Sequence, residues 1–157
     1  MKMGTQKKRK ARIGVVTAQF NKDVTERLEK GAIAALKTAG LPKEQVTIVR
    51  VPGAFEIPLA IKFLFEAGCE GVVALGAVIR GDTAHFDYVC RSVERGCSHL
   101  QLEYGRPVGF GVLTTDNEDQ ALERCGGRHG NKGAEAVQAV LEMLDIKHCV
   151  LYRKEDK

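Results

Sequence analysis

The sequence predicts an α/β fold of three layers, α-β-α, built around a four-stranded parallel sheet. Four short apolar stretches alternate with helical patterns along the chain, which is the order that successive β-α units produce. The third stretch, Gly71 to Ile79, is apolar at nearly every position. A strand of this kind is buried on both faces, as a central parallel strand is when helices cover each side of the sheet.

The length and the charge distribution favour one folded domain behind a basic arm. With 157 residues and 44% hydrophobic content, the chain can bury one core, whereas two domains would each be small. Five basic residues lie within the first ten, and without them the net charge of +4 falls close to neutral. We therefore expect residues 1–11 to be a disordered basic arm and residues 12–157 to fold. Contact of the arm with nucleic acid or a localisation role is the less favoured alternative.

Composition also excludes several classes of protein. No stretch approaches the roughly 20 apolar residues needed to span a bilayer, so no membrane partner is expected and the protein is expected in the cytoplasm. Five cysteines without a CxxC pair fit reduced thiols better than a disulfide framework. The four histidines show no zinc or iron spacing with each other or with the cysteines, so no metal is expected.

The first half of the chain is predicted to contain two β-α units. A β-branched strand at Arg12–Thr17 is followed by a helix that ends at Gly40. A second strand at Val46–Pro52 is followed by a helix that ends at Gly68. In open α/β sheets, ligands bind beyond the carboxyl ends of the strands, so the residues that follow each strand are the candidate site.

The second half of the chain is predicted to contain two more strands. The strand at Gly71–Ile79 leads into a long helix, and the strand at Pro107–Thr115 precedes a short helix at Glu118–Arg124. A glycine-rich segment, Cys125–Gly133, then leads into a last helix to about Leu144. The remaining tail either extends that helix or packs separately, and the sequence leaves both alternatives open.

The turn after the third strand carries the strongest candidate for chemistry. Gly81, Asp82 and Thr83 come just before a helix, and the free N–H groups and the dipole of a helix start favour an anion such as phosphate. His85 lies within a turn of that position, and an imidazole can transfer protons near neutral pH. The segment therefore predicts an anion site with an acid/base residue beside it.

The residues after the first two strands predict a pocket for a flat, polar molecule. Phe20 can stack on a heterocycle and Asn21 can bind its polar edge, although a hydrophobic staple at the helix start explains Phe20 equally well. Ala54, Phe55 and Glu56 follow the second strand. Glu56 there would accept hydrogen bonds from hydroxyls, and the alternative is an acid that complements the helix dipole. Neighbouring strands would bring the two loops together.

Two features further along the chain do not decide a function. Phe110 lies in mid-strand and fits either the core or the wall of a pocket. The segment Cys125–Gly133 resembles a P-loop, but Asn131 precedes Lys132 and Gly133 follows it, so the GK pair and the magnesium-binding hydroxyl are missing. No strand ends in GxGxxG either, which disfavours a dinucleotide-binding fold.

Five motifs carry a resemblance to a known family. They are QFN at Gln19–Asn21, VPGAFEIP at Val51–Pro58, GAVIRGDTAHFDYV at Gly76–Val89, GFGVLTTDNEDQALER at Gly109–Arg124 and GNKGAEA at Gly130–Ala136. In this order and spacing the set closely resembles the 6,7-dimethyl-8-ribityllumazine synthase (lumazine synthase) family. The resemblance implies a flavodoxin-like fold over residues 12–157. It also implies the penultimate step of riboflavin biosynthesis, in which 5-amino-6-(D-ribitylamino)uracil condenses with 3,4-dihydroxy-2-butanone 4-phosphate to give the lumazine, phosphate and water.

The resemblance implies a role for each site residue. His85 would shuttle protons during imine formation and phosphate elimination. Asp82 and Thr83 would hold the butanone phosphate through their backbone N–H groups, and Arg124 would pair with it. One subunit would line the pocket around the pyrimidine and the ribityl chain with Phe20, Asn21, Ala54, Phe55, Glu56, Ala77, Val78 and Ile79. The neighbouring subunit would supply Phe110, Arg124 and Lys132.

The resemblance further implies a homopentamer with each active site between adjacent subunits. The short link at Gly126–Gly133 favours the closed 60-mer of twelve pentamers, the icosahedral capsid that many members build. Riboflavin synthase is implied as a further protein partner. No cofactor is implied, because the amine is already a nucleophile and the phosphate is a workable leaving group once imine chemistry acidifies the neighbouring carbon.

Three other functions remain compatible with this fold. A flavin- or lumazine-binding module would keep the pocket without turnover, but His85 and Arg124 favour an enzyme. A phosphosugar enzyme or flavin carrier is the second alternative, since fold alone does not fix function. The loop AQFNKD after the first strand lacks the small hydroxyl residues that such a carrier uses for phosphate. A purely structural cage is the third alternative.

Overall fold

A computed structural model describes residues 10–152 of the chain. The predicted basic arm lies outside the described residues, except for Lys10 and Ala11. The order of elements along the chain is the predicted alternation of strands and helices.

Four parallel strands form the central sheet, as the sequence predicts. They are β1 (Ile13–Ala18), β2 (Val46–Val51), β3 (Gly71–Ile79) and β4 (Val108–Thr115). Their spatial order is β2-β1-β3-β4, and every neighbouring pair is parallel. All four carboxyl ends therefore lie at one edge of the sheet, where the candidate site residues are expected.

Helices cover both faces of this sheet and complete the three predicted layers. They are α1 (Lys22–Thr38), α2 (Ile57–Glu66), α3 (His85–Tyr104), α4 (Glu118–Glu123) and α5 (Lys132–Tyr152). Helices α1 and α5 pack together against one face, and α2 and α3 pack against the other. None of the helices within residues 10–152 is long and apolar enough to cross a membrane.

The core divides into two apolar clusters on opposite sides of strand β3. Val72 and Ala74 belong to the cluster under α2 and α3, while Val73 and Leu75 belong to the cluster under α1 and α5. All four side chains are fully buried, with 0% exposure. Because successive residues of a strand point to opposite faces, a strand buried on both faces must be apolar throughout. The prediction of a central β3 is confirmed.

Two glycines bring α5 close to its neighbours. A Cβ on Gly109 of β4 would lie 2.5 Å from the carbonyl oxygen of Ala136, and one on Gly133 would collide with the carbonyl oxygen of Leu28 in α1. Since real Cβ atoms do not approach so closely, only glycine allows α5 to lie directly on β4 and α1. This contact fixes the first turn of α5, which begins at Lys132.

Two segments take a form that the sequence left undecided. The glycine-rich segment folds into a small antiparallel hairpin of β5 (Cys125–Gly127) and β6 (Gly130–Asn131). The C-terminal tail extends the last helix, because α5 continues past Leu144 to Tyr152. Its last two turns expose several apolar side chains, namely Ile146, Val150, Leu151 and Tyr152.

Candidate active site

The loops after β1 and β2 are joined by their backbones, as the sequence predicts for neighbouring strands. The N–H of Gln19 donates to the carbonyl of Val51 over 2.8 Å, and the N–H of Phe20 donates to the carbonyl of Pro52 over 3.1 Å. Two aromatic rings stand at this edge, with Phe20 71% exposed and Phe55 66% exposed. A buried staple does not account for so exposed a ring, so the face of Phe20 is available for stacking.

Asn21 ties this loop to the end of β3. Its backbone is left-handed, with φ 60°, a conformation in which asparagine is enriched among non-glycine residues. The side-chain Nδ2 donates to the carbonyl of Ala77 over 2.8 Å. A cavity of about 390 Å³ lies beside Asn21 and is also lined by Ile79. The amide nitrogen is therefore engaged in the fold, and Oδ1 is the atom with which Asn21 would meet a ligand.

A short 3₁₀ turn at Ala54–Glu56 carries the candidate residues that follow β2. Ala54 is buried, whereas Phe55 and Glu56 are exposed. The Oε2 atom of Glu56 accepts a hydrogen bond of 3.0 Å from the N–H of Gly53. The carboxylate thus caps its own turn, while its exposure leaves it able to reach a hydroxyl group as well.

The end of β3 and the start of α3 form the predicted strand-turn-helix junction. Along β3, Ala77 is buried, and Val78 and Ile79 are half-buried. The turn that follows is exposed, and α3 begins at His85, whose side chain is also exposed. The hydroxyl of Thr83 accepts a hydrogen bond of 3.4 Å from the His85 N–H. The imidazole and the positive end of a 20-residue helix therefore stand at the same edge as Phe20 and Glu56.

Arg80 holds this junction in place, a role that its local sequence does not predict. Its Nε donates to Oδ1 of Asp116 over 2.9 Å, and its Nη1 lies 3.7 Å from Oδ1 of Asp87. The guanidinium carbon stands 4.5 Å from the ring centroid of Phe86. The hydrogen bond to Asp116 raises the pKa of Arg80 above its ordinary value. Parallel pairing of β3 with β4 aligns Ile79 with Thr115, which brings the next residues, Arg80 and Asp116, side by side.

A second group of predicted residues lines a cavity of about 280 Å³ at strand β4. It includes Phe110, Arg124 and Lys132, which the resemblance assigned together to a neighbouring subunit. The backbone N–H of Lys132 donates to the carbonyl of Arg124 over 2.9 Å, so the main chains of these two basic residues are joined. The described residues that line this cavity lie in β4, in α4 and on either side of the β5-β6 hairpin, where Arg124 precedes the hairpin and Lys132 follows it. The predicted residues are therefore gathered into two groups on one chain.

Comparison with known proteins decides the family. A family model described as 6,7-dimethyl-8-ribityllumazine synthase matches residues 10–148. The chain belongs to this family. The lumazine synthase of Bdellovibrio bacteriovorus is 56% identical over 137 residues, which cover 87% of this chain and 75% of that protein. Those of Nitratidesulfovibrio vulgaris and Desulfovibrio desulfuricans are 49% and 48% identical over 136 residues, covering 86% of this chain and 87% of each relative.

The lumazine synthase family model extends over every element that carries a candidate residue. Its match begins before β1 and ends within α5, so the sheet edge, the α3 junction and the β4 cavity all lie inside it. The α/β architecture observed here agrees with the flavodoxin-like fold that the resemblance implies. The prediction of the family is confirmed.

Three of the five thiols of this lumazine synthase family member are not placed for catalysis. The free thiols of Cys69, Cys97 and Cys125 are buried. Burial raises the pKa of Cys97 to about 12, and it also raises the pKa of Cys69 and Cys125. A protonated, buried thiol is a poor nucleophile at neutral pH. Within residues 10–152, no group of three or more His, Cys, Asp or Glu side chains is arranged to hold a metal ion.

Proposed function

We propose that this protein is a transferase, a 6,7-dimethyl-8-ribityllumazine synthase of riboflavin biosynthesis. It would condense 5-amino-6-(D-ribitylamino)uracil with 3,4-dihydroxy-2-butanone 4-phosphate. The observation that carries the proposal is that an exposed imidazole at a helix start and an exposed aromatic ring follow the carboxyl ends of two adjacent parallel strands. His85 and Phe20 are these two groups, and family membership supplies the substrates.

In the proposed reaction, the pyrimidine would lie against Phe20, and its ribityl chain would lie near Glu56. The amine would attack the ketone carbon of the butanone phosphate and form an imine with loss of water. The imine acidifies the neighbouring C–H, so that phosphate can leave once a base removes that proton. The enol that remains becomes a ketone, the ribitylamino nitrogen attacks its carbon, and loss of a second water closes the ring. His85 is exposed at this position and would take up and return the protons, a contribution of about 10²- to 10⁴-fold.

The phosphate would bind at the start of α3. Asp82 and Thr83 lie in the exposed turn before this helix, where backbone N–H groups and the helix dipole favour an anion. A guanidinium fork matches a phosphate dianion better than an ammonium does. Arg124 lines the separate β4 cavity of the same chain, so we propose that the Arg124 of the partner subunit reaches this phosphate.

The proposed active site is therefore shared between subunits of a homopentamer. One subunit would supply the His85 group and its partner would supply Phe110, Arg124 and Lys132. Support comes from the exposure of His85 and Phe110 and from the partial exposure of Arg124 and Lys132. The last three residues line a cavity other than the one beside Asn21. The proposal extends to an icosahedral capsid of twelve pentamers, a cytoplasmic location and riboflavin synthase as a protein partner.

Incubation of the purified protein with both substrates tests the proposed function. Lumazine absorbance and released phosphate should rise together, one for one, with no added metal or cofactor. Binding of the pyrimidine without phosphate release would favour a non-catalytic binding module. Analytical ultracentrifugation tests the shared site, because an active monomer would contradict it.

A further inference from the structure

Arg80 connects the two groups of candidate residues on one chain, the turn before His85 and the group that contains Arg124, which would serve two neighbouring active sites of the proposed pentamer. Its backbone N–H donates to the carbonyl of Thr115 over 2.8 Å, and its guanidinium reaches Asp116, Asp87 and the ring of Phe86. We propose that the ion pair of Arg80 and Asp116 positions both the phosphate-binding turn before His85 and the guanidinium of Arg124. The inference deepens the proposed function and rests on it for the identity of the substrate.

The first half of the argument concerns the turn. Residues 81–84 are all exposed, so packing does not hold them. Arg80 stands immediately before this turn, and its guanidinium contacts Phe86 and Asp87 immediately after His85. One side chain thus fixes both ends of the segment that carries the backbone N–H groups and the imidazole. Without these contacts, the position of the turn relative to the first residue of α3 is no longer fixed.

The second half of the argument concerns Arg124. The backbone N–H of Asp116 donates to Oε1 of Gln120 over 2.8 Å, and the carbonyl of Gln120 accepts a hydrogen bond of 2.8 Å from Nη1 of Arg124. Asn117 caps α4 by accepting from the Gln120 N–H over 2.8 Å. Helix α4 has only six residues, so its direction depends on how its start is held. Arg80 holds the start of α4 through its ion pair with Asp116.

Two carboxylates already neutralise the guanidinium of Arg80. This pairing indicates that Arg80 holds the structure in place and does not itself bind the phosphate. The side chain is 49% exposed, and ion pairs at such positions contribute little to the stability of a fold. Their loss can still displace a binding group, and a shift of about 1 Å can cost roughly 100-fold in rate. Loss of the pair should therefore change substrate binding and turnover much more than folding.

The test compares Arg80→Met, which keeps an apolar stem over Phe86, with Asp116→Ala, the double variant and Arg80→Lys. Lys62→Met is the matched control, since Lys62 is 48% exposed and pairs with Glu66 at 4.0 Å on α2. Both single variants should raise KM for the butanone phosphate and the Kd for inorganic phosphate about 10-fold. KM for the pyrimidine and the thermal midpoint should match those of the control.

The double variant should be no worse than either single variant, because residues that act through one contact are not additive. Arg80→Lys should recover part of the loss, since it keeps the charge without the fork. Phosphate binding and KM equal to those of Lys62→Met would overturn the inference while leaving the proposed function intact. Unfolding of all the Arg80 and Asp116 variants would also overturn it, in favour of a structural role.

The two proposals fail in distinguishable ways. If the unaltered protein releases no phosphate from the substrates, the proposed function fails, and the Kd for inorganic phosphate still decides whether Arg80 positions the turn. If the unaltered protein neither turns over nor binds inorganic phosphate, both proposals fall.

Discussion

The side-chain amide of Asn21 donates a hydrogen bond of 2.8 Å to the backbone carbonyl of Ala77, 56 positions later in the chain. Asn21 follows β1 and Ala77 lies near the end of β3, so this contact joins two of the strands that build the candidate site. Asn21 holds a left-handed backbone at the same time. Asn21 thus forms the turn, ties it to β3 through this hydrogen bond (the tether) and lines the proposed pocket.

Two substitutions separate the tether of Asn21 from its backbone conformation. Asn21→Gly keeps the left-handed turn and loses the tether, so it should lower the free energy of unfolding by about 1–2 kcal/mol. Asn21→Ala should cost about 1 kcal/mol more, because a Cβ opposes this conformation. Urea unfolding of both variants measures the difference. Equal stability of the two variants would mean that the turn relaxes to another conformation.

Replacement of His85 tests the proposed acid/base. His85→Ala should lower kcat by about 10²- to 10⁴-fold, the range for loss of a general acid/base. Folding and assembly should not change, because the side chain is exposed at the first position of α3. Steady-state kinetics with both substrates and a sizing measurement provide the two readouts. His85→Gln, which keeps hydrogen bonding without titration, should be similarly slow, and unchanged turnover would remove His85 from the mechanism.

The fold could be predicted because its signals are local. The continuous apolar run of β3 indicates burial on both faces, and the predicted bounds of Gly71–Ile79 are the observed ones. The first strand was predicted at Arg12–Thr17 and lies at Ile13–Ala18. The C-terminal tail could not be decided, because side chains such as Val150, at 74% exposure, have no buried face that would mark helical periodicity.

The candidate site was predictable only in part, for a related reason. The turn before His85 is a local strand-turn-helix pattern, so sequence alone indicates an anion site and an imidazole. The contacts that hold this turn are not local. Arg80 and Asp116 are 36 positions apart, and they meet only because β4 lies beside β3 in the sheet. Strand order is set by the packing of the whole core, so it cannot be predicted from the pattern of any single segment.

Substitution of Gly133 tests the close packing of α5 against α1, which sets the position of Lys132 at the start of α5. Gly133→Ala would drive a methyl group into the carbonyl oxygen of Leu28, so α5 must move away from α1. We expect the free energy of unfolding to fall by about 1–3 kcal/mol, as in other overpacked sites. Gly81→Ala is the control for stability, since a Cβ there meets no atom within 4 Å and its stability should change by less than about 0.5 kcal/mol. Denaturant midpoints of the two variants give the comparison, and equal midpoints would show that α5 accommodates the methyl group.

The buried thiol of Cys97 makes stability depend on pH in alkaline solution. Burial raises its pKa from 9.0 to about 12, so the folded state keeps a proton that the unfolded state loses above about pH 9. This contribution to stability is complete below pH 9 and is lost as the pH rises towards 12, with a slope of up to about 1.4 kcal/mol per pH unit. Urea unfolding between pH 8 and pH 11 should therefore show a steeper decline for the unaltered protein than for Cys97→Ala. The other buried thiols titrate in both proteins, so parallel declines would mean that the Cys97 thiolate gains access to solvent without unfolding.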